Sequence, residues 1–245
     1  MKKILTTIIL TIFFFSCTET KKENIDIYID KNLTLLMEKI VKIYEEKNNN
    51  IKINLYTDKP VSLNNFEILI SSDENIFSDV KKSEQISKKE ESKNPNENFE
   101  STFFTTDNVV IIGRKKLNSL NELLYSNIAV SNYDDGVGKY FMDSLANTEL
   151  FNEISKKIQY FDDSISAMQA VELYEVDYAV INTLLLDNVK NSIICYIFPK
   201  TEENKDVISY NLYLKKESSS QVQNFYNFLK SSKVENIINR NKEVS

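Results

Sequence analysis

The chain contains no histidine, and that absence alone removes imidazole zinc sites, Ser-His-Asp and Cys-His catalysis, and histidine-based pH switching. Cysteine is nearly as scarce: Cys17 and Cys195 are the only two, too few for a disulfide framework. Only three glycines occur, so the two that stand together at Gly136 and Gly138 mark a backbone that must turn tightly. Basic residues are in deficit, 30 Lys and Arg against 36 Asp and Glu, and no basic block gathers them, which argues against a nucleic-acid partner. What the chain does have is a hydrophobic content of 42% and an aromatic content of 11%, enough for a buried core. At 245 residues it can form one large domain or two small lobes.

The N-terminus carries an address. Met1-Lys2-Lys3 is basic, Ile4 to Phe15 is apolar, and the chain turns polar after Ser16-Cys17. The apolar run is shorter than the roughly 20 residues a membrane-spanning helix needs, so it reads as a cleaved secretory signal. A small residue followed by Cys at its end resembles a bacterial lipobox, which implies that Cys17 becomes the lipidated first residue of an exported protein on a bacterial membrane, at its periplasmic or cell-surface face. Residues 18–23 are then a tether. Cys195, left alone within Ile193-Ile194-Cys195-Tyr196-Ile197-Phe198, reads as a buried strand residue and not as a nucleophile.

From Ile25 onward, strands and helices alternate, which predicts an α/β fold. Ile25-Asp26-Ile27-Tyr28-Ile29 alternates like a strand. Leu33, Leu36, Met37, Ile40, Val41 and Tyr44 recur at helical spacing until Lys47-Asn48-Asn49-Asn50. Further strands are expected at 51–56, 66–70, 108–112, 128–130, 158–161, 178–181, 193–198 and 207–214. Residues 82–98, charged and without apolar period, read as the longest loop. Gly136 and Gly138 suggest a tight turn before a helix over 139–146, Asp162-Asp163-Ser164 a cap for a helix over 165–174, and Asn182-Thr183 the start of a short helical stretch. Ser218 with Gln221 resembles a capping box for one terminal helix carrying Val222, Phe225, Tyr226, Leu229 and Ile237.

The order of these pieces resembles the periplasmic molybdate-binding proteins of ABC importers, within the type II solute-binding fold. The resemblance rests on Ile27-Tyr28-Ile29 before Asn32-Leu33-Thr34, Glu67-Ile68-Leu69-Ile70-Ser71-Ser72, Asn108-Val109-Val110-Ile111-Ile112, Ile128-Ala129-Val130, and Ser166-Ala167-Met168-Gln169-Ala170-Val171-Glu172 before Tyr178-Ala179-Val180-Ile181. It closes on Val222-Gln223-Asn224-Phe225-Tyr226-Asn227-Phe228-Leu229-Lys230. It implies two lobes with a ligand cleft between them, residues 24–104 plus 210–245 forming lobe 1 and residues 105–209 forming lobe 2. It also implies a monomeric receptor that hands a tetrahedral oxyanion, molybdate or tungstate first, to a membrane permease, with no cofactor, metal or catalysis of its own. The contacts it carries over fall on Asn32, on Thr57 or Ser62 in the turn after Tyr56, on Val137, on Ser164 and on Asn182.

Neutral donors at helix starts can hold such an anion, because unsatisfied N–H groups and the helix dipole favour negative charge there. Asn32, Ser164 and Asn182 also stand where capping alone accounts for Asn and Ser. The family's small residues are replaced around Asn32 by Asp30 and Lys31, and an Asp30 facing the cleft opposes a dianion. The same fold binding another small solute, and a ligandless surface lipoprotein with an adhesive or structural role, are the alternatives. Asp134-Asp135 and Asp162-Asp163 are acidic pairs better suited to solvated loops or helix starts than to a metal.

Overall fold

The computed structural model describes residues 22–58, 62, 65–73, 76–77, 98–146, 148–198 and 208–242. The leader with Cys17, the first part of the tether and nearly all of the expected 82–98 loop lie outside them. Two five-stranded mixed sheets organise the chain, and no barrel closes. The first contains β1 (Glu23–Ile29), β2 (Ile51–Tyr56), β3 (Ile68–Ser71), β4 (Phe99–Asp107) and β10 (Ile208–Lys215), in the order β2-β1-β3-β10-β4. The second contains β5 (Val109–Gly113), β6 (Ile128–Ser131), β7 (Ile158–Phe161), β8 (Tyr178–Asn182) and β9 (Ile193–Ile197), in the order β7-β6-β8-β5-β9. The chain passes from one sheet to the other at Asn108 and returns before Ile208.

Each sheet follows from its residue pattern. β8 is buried along its whole length, as a central strand covered on both faces requires. On β10, Ile208, Tyr210, Leu212 and Leu214 are buried while the residues between them are more exposed, the period-2 pattern of a strand with one covered face. Helix α1 (Thr34–Glu45) buries Leu36, Met37, Ile40, Val41 and Tyr44 on one side. Burying such side chains contributes about 1.5–3 kcal/mol apiece. The Tyr44 ring meets Phe225 edge-on at 4.8 Å, joining α1 to the C-terminal helices.

Several expectations need correction. Residues 99–107 form a strand, although the sequence leads one to expect order to resume only at Asn108; Glu100, Ser101 and Phe103 face solvent, so no apolar run announces it. Helix α2 (Gly136–Ala146) begins at Gly136 and not at Lys139, and neither Gly136 nor Gly138 has a positive φ. Gly138 is required for another reason: a Cβ there would lie 2.1 Å from the Ser131 carbonyl oxygen and 2.4 Å from that of Asn132. A single turn, α3 (Phe151–Ile154), precedes β7, and α4 spans Ser164–Glu172. The expected single terminal helix is two, α5 (Ser220–Leu229) and α6 (Ser232–Lys242). The cap of α5 is Ser219, whose hydroxyl accepts from Val222 N at 3.4 Å, while the Ser218 hydroxyl donates to the Lys215 carbonyl. A 3-10 helix, Leu120–Tyr125, lies between β5 and β6.

Candidate functional site between the two sheets

β1, β2 and β3 run parallel, as do β6, β7 and β8, so each sheet gathers its strand ends along one edge. Open α/β sheets bind ligands outside such carboxyl edges. Asp30 and Asn32 follow β1, Thr57 follows β2 and Ser72 follows β3; on the other side, Asp135 and Val137 follow β6, Ser164 follows β7 and Asn182 ends β8. One hydrogen bond joins the two edges: the Asn32 amide donates from Nδ2 to Asp135 Oδ2 at 2.9 Å.

Asp135 is the centre of this arrangement. Its Oδ1 accepts from Ser131 Oγ at 3.0 Å and from the Val137 backbone N–H, in the first turn of α2, at 2.8 Å. Three donors on one carboxylate, one of them at a helix start, favour its ionised form. Burial is the larger influence, and with the nearby charge of Asp30 it raises the carboxyl pKa above the ordinary Asp value. Asp30 is half-buried and accepts from Ser72 Oγ at 2.6 Å; desolvation likewise raises its pKa.

A second carboxylate governs the crossing between the sheets. Asp107, at the end of β4, is wholly buried. It accepts from Asn182 Nδ2 at 2.6 Å, from Thr183 Oγ1 at 2.5 Å, from Leu184 N at 3.3 Å and from its neighbour Asn108 N at 2.8 Å. Burial lifts its pKa to about 6 against these donors and the Lys242 charge. Tyr210 lies one residue beyond the Asn211–Ser71 pair of β10 and β3, beside this edge. Its fully buried phenol is raised well above the ordinary value, first by burial and then by the charges of Asp30, Asp107 and Asp135.

Among the residues singled out from the sequence, Asn32 and Val137 meet at Asp135, and Asn182 meets Asp107. Capping does not occupy the side chains of Asn32, Ser164 and Asn182. The 3-10 helix after Asn182 receives no side-chain cap, Asp163 caps α4 by accepting from Ser166 N at 2.8 Å, and the Ser164 hydroxyl has no partner among the described residues. Thr57 and Ser62 are half-buried at and after the end of β2. Ser131, Asp107 and Tyr210 escape the sequence reading: Ser131 and Tyr210 sit in strand patterns that read as core, and Asp107 ends an unannounced strand. Among the described residues no three His, Cys, Asp or Glu side chains could together hold a metal ion. Cys195 is buried on β9, where desolvation raises its thiol pKa, as expected of a core residue.

Two mixed α/β sheets with a polar seam between their carboxyl edges make a two-lobed, periplasmic-binding-protein-like α/β fold. Residues 25–241 match the bacterial extracellular solute-binding proteins, and the chain belongs to that family. Its fold is shared by the Azotobacter vinelandii periplasmic molybdate-binding protein (14% identity, TM-score 0.63, 90% of this chain and 99% of that one). It is also similar to a Clostridium difficile domain described as the substrate-binding domain of a molybdenum ABC transporter (17%, TM-score 0.61, 88% and 96%). A third similar structure is Peb3 from Campylobacter jejuni (16%, TM-score 0.57, 90% and 99%). No curated protein sequence matches. No helix among the described residues is long and apolar enough to cross a membrane.

Proposed function

We propose that the chain is an exported receptor, tethered to a bacterial membrane by a lipid on Cys17, that traps one small solute between its lobes and presents it to the permease of an ABC importer. The observation that carries this reading is the convergence of Asn32 from one lobe with Ser131, Asp135 and Val137 from the other on a single point between the sheet edges. Family membership supports export and solute capture. The tether rests on the basic start, the apolar run and Ser16-Cys17.

The molybdate-binding relatives bring with them a tetrahedral oxyanion, molybdate or tungstate, as the ligand. In its favour, the donors at this point hold one anion already, the Asp135 carboxylate, with a backbone N–H, an amide and a hydroxyl. Such an oxyanion has to displace that carboxylate and then sit near Asp30. The test is thermal unfolding of residues 18–245, without the lipid Cys, against molybdate, tungstate, sulfate and phosphate. A ligand at 100 times its Kd stabilises by about 2.7 kcal/mol, a rise of several degrees. A rise with molybdate and tungstate alone supports the oxyanion ligand, and no rise with any of the four removes it.

A further inference from the structure

Several donors in this seam are already committed. One amide hydrogen each of Asn32 and Asn182 goes to Asp135 and Asp107, and the Ser131 hydroxyl and Val137 N–H go to Asp135. What has no partner among the described residues is Asn32 Oδ1, Asn182 Oδ1, the Ser164 hydroxyl and the Tyr210 hydroxyl. These residues are 2%, 0%, 0% and 0% exposed, so water does not compensate them in the way it does a surface group. The carboxylates fix the amide orientations, because a flipped Asn32 or Asn182 would set its carbonyl oxygen against a carboxylate oxygen. What is left over is two amide oxygens that can only accept, two hydroxyls that can serve either way, and the second N–H of each amide.

The charge has the same sign. The charge of Asp30 acts on Asp135, and the charges of Asp30, Asp107 and Asp135 all act on the Tyr210 phenol. The ammonium group of Lys242 is the cation acting on Asp107, and it is held by Thr105 Oγ1 at 3.1 Å and the Thr106 carbonyl at 2.5 Å. Neither Asp30 nor Asp135 has a cationic side chain among its described partners. Two half-buried carboxylates without a counter-cation repel a dianion and attract a cation, and the attraction strengthens as closure excludes water. A divalent metal is not favoured, since among the described residues no three ligating side chains converge.

We propose that the seam between the lobes takes a small solute bearing a protonated amine, whose ammonium hydrogens donate to Asp135, Asp30 and the Asn32 carbonyl oxygen with the Tyr210 hydroxyl alongside. This rests on the receptor reading above and replaces its oxyanion ligand. The solute is small, because the lobes touch across the seam: a Cβ on Gly136 would lie only 3.7 Å from Ser72 Oγ.

The test titrates the unlipidated chain calorimetrically with ethanolamine, putrescine, glycine and β-alanine, beside molybdate, sulfate and uncharged glycerol, at matched ionic strength. Lobe closure is followed by small-angle scattering. At least one amine binds and closes the lobes, and Asp135→Asn and Asp30→Asn each weaken it by about tenfold or more, as loss of a desolvated charge partner does. Both replacements keep side-chain shape, and each variant's unligated melting curve reports whether it folds. Absence of amine binding overturns the inference, as does amine binding that neither variant weakens. Closure by an oxyanion alone overturns it while sparing the receptor reading; absence of closure by any solute counts against both.

Discussion

Asp107 offers the sharpest test of the energetics. Its carboxyl is wholly buried and is pushed up to about 6 from the ordinary 3.8, even though four donors and Lys242 favour its charge. A folded-state pKa above the unfolded one means that folding takes up a proton between those values. This group's contribution to stability is therefore greatest below pH 3.8 and is lost as pH rises through 6. At about 1.4 kcal/mol per pH unit, the full swing is about 3 kcal/mol. Asp107→Asn keeps the shape and one acceptor oxygen but cannot titrate, so other groups largely cancel when the two proteins are compared. Urea unfolding of both at pH 7.5, 6, 5 and 4 should show the wild type gaining on the variant by about 2–3 kcal/mol over the acid limb. Parallel curves, or a variant that gains on the wild type as acid is added, would refute the reasoning, because either result means that the four donors outweigh burial.

Other replacements probe the frame. Gly138→Ala forces a methyl onto two backbone carbonyls and should cost about 1–3 kcal/mol, several degrees of Tm, whereas Gly136→Ala, whose nearest contact is 3.7 Å away, should melt close to wild type. Phe225→Ala empties a fully buried site beside Tyr44 and should lower stability in urea by about 3–5 kcal/mol. Ser219→Ala should cost about 1 kcal/mol more than an ordinary surface replacement, by loss of the α5 cap. Lys39→Met breaks the ion pair with Asp187 that links α1 to the 183–188 segment; being exposed, it should cost less than about 1 kcal/mol by the same urea measurement, and the cost should shrink further in salt.

The fold was legible in the sequence wherever one face of an element is buried. α1 shows its stripe because Leu36, Met37, Ile40, Val41 and Tyr44 all turn inward, and β1 shows its alternation for the same reason. β4 was illegible because Phe103 faces solvent while Asp107 is buried, the reverse of what hydropathy suggests. At the candidate site, helix-start positions pointed to Asn32, Val137, Ser164 and Asn182. Their partners did not show, because the bond between Asn32 and Asp135 joins residues 103 apart, and that between Asn182 and Asp107 joins residues 75 apart. Such pairings come from topology, which no local pattern records.

β10 lies between β3 and β4, pairing Leu212 with both Ile70 and Thr102. The second sheet draws on one uninterrupted stretch of chain, but the first cannot be completed until the last of its strands has been made. A nascent chain ending before Ile208 would leave β3 and β4 each with an open edge, the kind of template on which unfinished chains pair with one another. The lobe that needs both ends of the sequence therefore stays unfinished until the whole chain is available, whereas the other can close on its own stretch of sequence.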